Sequence, residues 1–384
     1  MNVQTIRTAQ SLTTDAREAV AEFHAAVAQP DMELVIFFCS SAYDMDALAE
    51  EMNRRFAGTQ VVGCTTAGAI GPHGYGEHGL SGASFSASGF ATVSGLLENL
   101  DHFGISSGHE FAQTLLQRLE SRVPEAAPQN CFALMLIDGL SIREEPVAHA
   151  LQYALGDIVL FGGSAGDDLK FSKTLVFSDG RFHADSAVLV LLNTDLPFKI
   201  FKTQHFIATA ERMVVTEADT DERVVKEING LPAAAEYARL LGIELHELNP
   251  MSFAASPVVV MIDGTDYVRS IQKANPDGSL TFFCAIEEGL VLRVAHGIGL
   301  LNNLEQTFDS IRAEIGQPQL VIACDCILRK LEISQNGLEG RVAEIFRSNN
   351  AVGFNSYGEQ FHGVHVNQTL TGIAIGSAGK VADV

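Results

Sequence analysis

Three stretches of the chain repeat one pattern of apolar and polar positions. Each opens on a short apolar run: Leu34-Val35-Ile36-Phe37-Phe38, Phe132-Ala133-Leu134-Met135-Leu136 and Leu320-Val321-Ile322-Ala323. Such runs predict buried strands. Apolar residues then recur at steps of three and four: Met45, Leu48, Met52 and Phe56; Val147, Leu151 and Leu155; Leu338, Val342 and Ile345. That spacing predicts amphipathic helices, each with one face on a sheet. A second strand runs into a small-residue turn, Thr66-Ala67-Gly68, Ser164-Ala165-Gly166 or Ser356-Tyr357-Gly358. Another strand follows, at Leu80–Ser86, Ser186–Leu192 and Thr369–Ile375. From Val35, Leu134 and Val321 to the turn glycines the spans are 33, 32 and 37 residues. Repetition at near-constant spacing sets the architecture before any single motif does. The pattern reads as α/β, built from repeated strand–helix–strand units. Helix-connected and hairpin-like pairings alternate, so mixed sheets are expected.

Other segments frame these units. Residues 1–30 form a leading segment with a helix over Ala16–Val27 that ends by Pro30. Glu144 and Glu145 suit the positive end of the second unit's helix, and Pro146 suits its first turn. Between the second and third units the pattern changes. Val214–Ile228 carries the acidic run Glu217-Ala218-Asp219-Thr220-Asp221-Glu222, and Asn229-Gly230-Leu231-Pro232 makes a turn. Ala233–Leu241 reads as a helix closed by Gly242. Val258–Ile262, Tyr267–Ile271 and Leu280–Ala285 read as a meander, with turns at Asp263-Gly264 and at Asn275-Pro276-Asp277-Gly278. A boundary near residue 225 divides the chain into 31–225 and 226–384. No Gly/Ser-rich or Pro-rich linker separates them, so they are expected to pack directly.

Composition narrows the classes of partner. With 384 residues, 47% hydrophobic and 19% charged, the chain is globular and long enough for two domains. A net charge of -22 argues against nucleic acid or an anionic membrane as the main partner. The start, Met1-Asn2-Val3-Gln4-Thr5, has no apolar signal core, and no apolar run approaches the ~20 residues of a membrane span. A cytoplasmic protein is expected. Six cysteines without a Cys-x-x-Cys suit reduced, packed thiols. Cys324-Asp325-Cys326 would point both thiols to one face of a strand, which leaves a metal site as the alternative to simple packing there.

Several stretches taken together resemble the FIST family of bacterial sensory proteins. They are Val61-Val62-Gly63-Cys64-Thr65-Thr66-Ala67-Gly68-Ala69-Ile70-Gly71, Phe161-Gly162-Gly163-Ser164-Ala165-Gly166-Asp167-Asp168, Ile228-Asn229-Gly230-Leu231-Pro232-Ala233 with Glu236-Tyr237-Ala238, and Gly353-Phe354, Tyr357-Gly358-Glu359 and Asn367-Gln368-Thr369. Order and spacing over residues 30–376 carry the resemblance. It implies two packed FIST domains and intracellular sensing of a small ligand, with amino acids suggested for many members. Free-standing members of this length bind haem b, sense nitric oxide and regulate a partner histidine kinase or cyclic-di-GMP enzyme. By resemblance, that is the expected function, without catalysis. A cofactor-free amino-acid or metabolite sensor is the alternative, and a serine hydrolase a distant one. The oligomeric state stays open, a homo-oligomer included.

Candidate sites follow from the chemistry of the side chains. Gly162-Gly163-Ser164-Ala165-Gly166 matches a nucleophile elbow, but a polar stretch follows where a helix is needed. Thr66 and Ser356 occupy the matching turns, so turn hydrogen bonding explains Ser164 better. For haem, an imidazole is the expected iron ligand. His73 and His78 flank Tyr75, itself a further ligand candidate, in a glycine-rich loop; a mobile surface loop is the plainer reading. His362 and His365 stand in the corresponding loop of the third unit, and His205 lies between Phe201 and Phe206. Asp167, Asp168 and Glu359 could take a ligand amine; Arg329 or Arg269 could take a carboxylate through the guanidinium fork. Gly297-Ile298-Gly299 lacks the rest of a dinucleotide fingerprint and is set aside.

Overall fold

The computed structural model describes residues 5–262 and 264–377. Residues 1–4, Asp263 and residues 378–384 lie outside them, including the expected turn residue Asp263.

Three six-stranded mixed sheets organise the chain, one for each repeated unit. In the first, Met32–Ser40 and Gln60–Thr66 pair in parallel across the helix Met45–Arg55. Leu80–Ser86 returns antiparallel to Met32–Ser40 and also takes Ile6–Ser11 as a neighbour. Residues 6–27 thus supply a strand and an outer helix to this sheet. The second unit repeats the plan with Cys131–Ile137, the helix Glu144–Leu155 and Leu160–Ser164, closed by Ser186–Asn193 and Ala91–Glu98. The third does so with Leu320–Cys326 and Ala351–Ser356, closed by Leu370–Ile375 and Phe198–Thr203. Its crossover holds two helices, Ile327–Gln335 and Glu339–Ser348; the expected stripe falls on the second, with Val342 buried, Leu338 and Ile345 partly buried, and Phe346 joining them in the core.

Each unit also sends a small hairpin to its neighbour's sheet. The first unit's hairpin, Ala69–Gly71 with Gly74–Gly76, pairs with Ala351–Ser356 of the third. The second unit's, Val176–Ser178 with Arg181–His183, pairs with Gln60–Thr66 of the first. The third unit's, Glu359–Phe361 with Val364–Val366, pairs with Leu160–Ser164 of the second. The exchange is cyclic. The inner faces of all three sheets share one apolar core, with Phe38 and Cys64, Phe132 and Phe161, and Cys324 and Phe354 as representatives. The helices cover the outer faces with separate apolar clusters.

Between Phe198–Thr203 and the helix Leu300–Ile315, the third unit carries an insertion. Residues 206–297 form an eight-stranded antiparallel sheet with the helices Ala233–Leu241 and Pro250–Ala255 and a core of their own. The boundary drawn near residue 225 falls inside this inserted subdomain. Asn229 and Gly230 both take left-handed backbone (φ 55° and 74°), as a tight hairpin turn requires.

Candidate functional site

The hairpin exchange brings the carboxyl ends of the three parallel strand pairs together, so the three turns touch. Ala67 N donates to Asn355 O at 3.0 Å, Gly166 N to Thr65 O at 3.1 Å, and Tyr357 N to Ser164 O at 3.1 Å. Gly68 and Gly358 adopt φ values of 143° and 152°, which favour glycine. Gly166 is needed for room instead: a Cβ there would stand 2.8 Å from Ala67 N. Each turn hydroxyl is fully buried and engaged. Thr66 Oγ1 accepts from Gly68 N at 3.2 Å, Ser164 Oγ accepts from Gln360 Nε2 at 2.9 Å, and Ser356 donates to Glu359.

The acidic candidates fall in different surroundings. Glu359 has no solvent exposure, and Thr369 donates to it through its amide at 3.2 Å and its hydroxyl at 2.7 Å. No cation pairs with it among the described residues. Burial pushes its carboxyl up to about 8, against the pull of the Ser356 and Thr369 hydroxyls. Asp167 instead organises a loop. It accepts from the amides of Phe171 (2.9 Å), Ser172 (2.7 Å) and Lys173 (2.9 Å) and from the Tyr357 hydroxyl. Burial alone would raise its carboxyl, but those donors outweigh it and hold the group below its usual range. The next residues are strained, with Asp168, Leu169 and Phe171 all in left-handed backbone. Asp168 meets Ser41 Oγ at 3.3 Å and Lys170 Nζ at 3.8 Å.

Three candidates from distant parts of the sequence form one buried chain. The Tyr75 hydroxyl donates to Asp325 Oδ2 at 2.6 Å, and Arg329 Nε to Asp325 Oδ1 at 2.7 Å. Arg329 Nη1 meets His205 Nδ1 at 3.3 Å, and His205 Nε2 meets Glu332 at 2.8 Å. Burial lowers the imidazole's proton affinity, with Glu332 working against it. Burial and the nearby Asp325 carboxylate raise that of the Tyr75 phenol.

The remaining histidines separate. His73 and His78 are exposed on the first hairpin, the latter with Nδ1 3.4 Å from Ser40 Oγ. His362 is exposed, its ring edge-on to Phe361. His365 is 1% exposed, with Nδ1 3.1 Å from Gln360 Nε2 and Nε2 3.3 Å from Phe283 O. The exchange puts the first hairpin on the third sheet and the third hairpin on the second, so the two histidine pairs occupy different seams. Cys324 and Cys326 are buried free thiols, and burial raises both well above the ordinary thiol value. Among the described residues no cluster of His, Cys, Asp or Glu could hold a metal.

Around these groups, and beside the candidate Arg329, lie buried polar side chains that the sequence did not mark as site residues: Ser270, Asn355, Gln360, Asn367 and Gln368. Among the described residues eight buried side-chain polar atoms lack a hydrogen-bond partner, and six lie at the seams of the third unit. They are Ser270 Oγ, Arg329 Nη2, Asn355 Oδ1, Gln360 Oε1, Asn367 Nδ2 and Gln368 Oε1. Ser270 belongs to the inserted subdomain, and its amide donates to Asn367 Oδ1 at 3.3 Å. Gln368 Nε2 reaches Ala254 O of that subdomain at 3.2 Å. Lys330 is half-buried; its ammonium donates to Ala67 O at 3.2 Å, and burial lowers its proton affinity. A signal for these residues was present: Asp325, Asn355, Gln360 and Asn367-Gln368 interrupt apolar strand-like runs. Of the open concavities among the described residues, two are lined by histidines. One of about 530 Å³ is on the outer helices of the second unit, beside Ile105, His109, His149 and Tyr153. The other, about 420 Å³, is lined by Gln204, His205, Phe206, Ile298, Asn302 and Gln306.

Among solved structures the chain is similar to a cyanuric acid hydrolase from A. caulinodans, at 10% identity and a TM-score of 0.37, over 98% of this chain and 99% of that one. A second cyanuric acid hydrolase structure matches at 10% identity and a TM-score of 0.38, over 97% and 99% of the two chains. That degree of likeness supports no functional argument. No curated protein matches the sequence. No helix among the described residues is long and apolar enough to cross a membrane. The FIST N domain matches residues 33–231 and the FIST C domain residues 233–362, so the chain belongs to the FIST family, whose domains are sensory modules for small ligands.

Proposed function

We propose that this protein is a non-catalytic, cofactor-free sensor of a small polar metabolite, amino acids included. The ligand binds at the seams where the third unit meets the inserted subdomain and the other two turns. One observation carries the reading: six buried, unpartnered polar atoms concentrate there. Such atoms each cost about 1–3 kcal/mol when unmet, so their clustering marks a place where a polar guest completes the bonding. The set offers both donors and acceptors, which suits a molecule carrying an acid or amide beside an amine or hydroxyl. Domain seams are also a common location for ligand sites. Six buried, unpaired cysteines suit a reducing compartment such as the cytoplasm.

The haem and nitric-oxide reading has weaker support. The two buried candidate histidines, His205 and His365, have each ring nitrogen within hydrogen-bond distance of a protein group. His73, His78 and His362 are exposed, and the Tyr75 hydroxyl is committed to Asp325. Iron ligation would have to break one of the buried contacts or use a surface histidine. Regulation of a histidine kinase or cyclic-di-GMP enzyme remains the output implied by resemblance.

A thermal-shift panel of amino acids and small polar acids and amides, followed by calorimetry, tests the reading. A ligand at about 100 times its Kd adds roughly 2.7 kcal/mol. Substituting Asn367 with Asp or Gln360 with Glu should remove that gain. The reading fails if no compound shifts the protein and haem reconstitution gives a Soret band that moves with nitric oxide.

A further inference from the structure

The chain passes from the threefold body into the inserted subdomain between Thr203 and Phe206, and returns between Gly297 and Leu300. The two crossings lie side by side, with Ile298 N donating to His205 O at 2.8 Å. Glu332, on the helix Ile327–Gln335, is clamped against both. Its carboxylate meets His205 Nε2 at 2.8 and 3.0 Å. Both side chains press close on the Gly297 backbone: a Cβ there would stand 2.8 Å from Glu332 Oε1 and 3.0 Å from His205 Nε2, and they would have to shift to admit it. Arg329 can only donate, so His205 Nδ1 accepts from it and Nε2 carries the proton shared with Glu332. Asp325 then accepts from Arg329 on one oxygen and from Tyr75 on the other. Each link has one donor and one acceptor. His205, Arg329 and Asp325 have no side-chain exposure, while Glu332 keeps 11% at the outer end.

The two ends of this chain belong to different parts of the fold. Tyr75 sits on the first unit's exchanged hairpin; His205 sits on the crossing into the inserted subdomain. We propose that Tyr75–Asp325–Arg329–His205–Glu332 is a coupling device that ties the state of the first unit's hairpin to the rigidity of the two crossings. In a buried, low-dielectric network, loss of one member leaves its neighbour unmet and passes the rearrangement on. The device is a property of the fold and operates whichever ligand the protein takes. Where the ligand reading holds, Arg329 Nη2, unpartnered and wholly buried, is the point at which occupancy of the seam enters the chain.

The test is amide hydrogen exchange on the full chain in Tyr75→Phe, Glu332→Gln and the double variant. It is read at the crossings (204–206 and 297–299) and, as a control, in the core strand Cys131–Ile137. Tyr75→Phe should raise exchange at the crossings about threefold or more although Tyr75 lies on a separate hairpin. The double variant should fall short of the product of the single effects by about threefold, the mark of residues in one network. Multiplying effects, or exchange raised only around residues 69–76, overturn the proposal. If Tyr75→Phe also loosens the core strand, Arg329→Lys replaces it. That variant keeps the charge but loses the fork, and it must loosen the crossings with the core protected, or the proposal falls. None of these readouts needs a ligand, so a failed ligand screen leaves the result intact.

Discussion

Gln360 donates its side-chain amide to the Ser164 hydroxyl at 2.9 Å, in the place a general base would occupy beside a nucleophilic serine. Gln360 also meets His365 Nδ1 at 3.1 Å, so the imidazole is held one side chain away from Ser164. We therefore expect Ser164→Ala to cost about 1 kcal/mol, one buried hydrogen bond, and to leave ligand-induced thermal shifts within a few-fold. Urea unfolding and the compound panel check both. An ester-cleaving activity lost in this variant would move the protein into the hydrolase class.

Glu359 gives the protein a pH-dependent term. Its carboxyl is near 4.5 when unfolded and about 8 when folded, so the folded state holds the proton in between. Its stabilising contribution is therefore fully present below about 4.5 and is lost as pH rises through about 8. Glu359→Gln, neutral at every pH, should flatten the fall in stability between pH 6 and 9. Denaturant midpoints of the two proteins across that range decide it; parallel curves would mean that Glu359 is not the group responsible.

Asp167 holds three backbone amides and the Tyr357 hydroxyl over a loop with three non-glycine residues in left-handed backbone. Bonds to a carboxylate are worth more than neutral ones, so Asp167→Ala should lose about 2 kcal/mol or more. Limited proteolysis should then cut within 168–173 first. Cleavage there at the unchanged rate would show that the strain is held by other contacts.

The two family domains should not fold apart. A chain ending at residue 225 would lack the strand Ala351–Ser356 that receives the first hairpin and the hairpin Glu359–Val366 that completes the second sheet. It would also expose the shared core at Phe38, whose ring stacks on Phe354 with centroids 4.7 Å apart. We expect such a fragment to lack the sharp amide dispersion of a folded domain, and the intact chain to melt in a single transition. A well-dispersed spectrum from the fragment would contradict this.

The sequence alone determined the local elements, because periodicity is a local property. Run length and the spacing of three and four marked the three strand–helix–strand units, and Glu144, Glu145 and Pro146 marked a helix start that the structure bears out at Glu144. The small-residue turns were legible for the same reason: backbone left-handedness and close approach restrict the residue types at Gly68 and Gly358. The tertiary structure decided which pieces meet. The hairpin exchange rests on backbone pairing between segments more than 110 residues apart, and backbone groups carry no sequence signature of their partner. Nor could spacing reveal that Tyr75, Arg329 and His205 share one chain, since Asp325 and Glu332 join them only after three distant segments pack. Their burial, and hence the cost of leaving any one of them unpaired, exists only in the folded molecule.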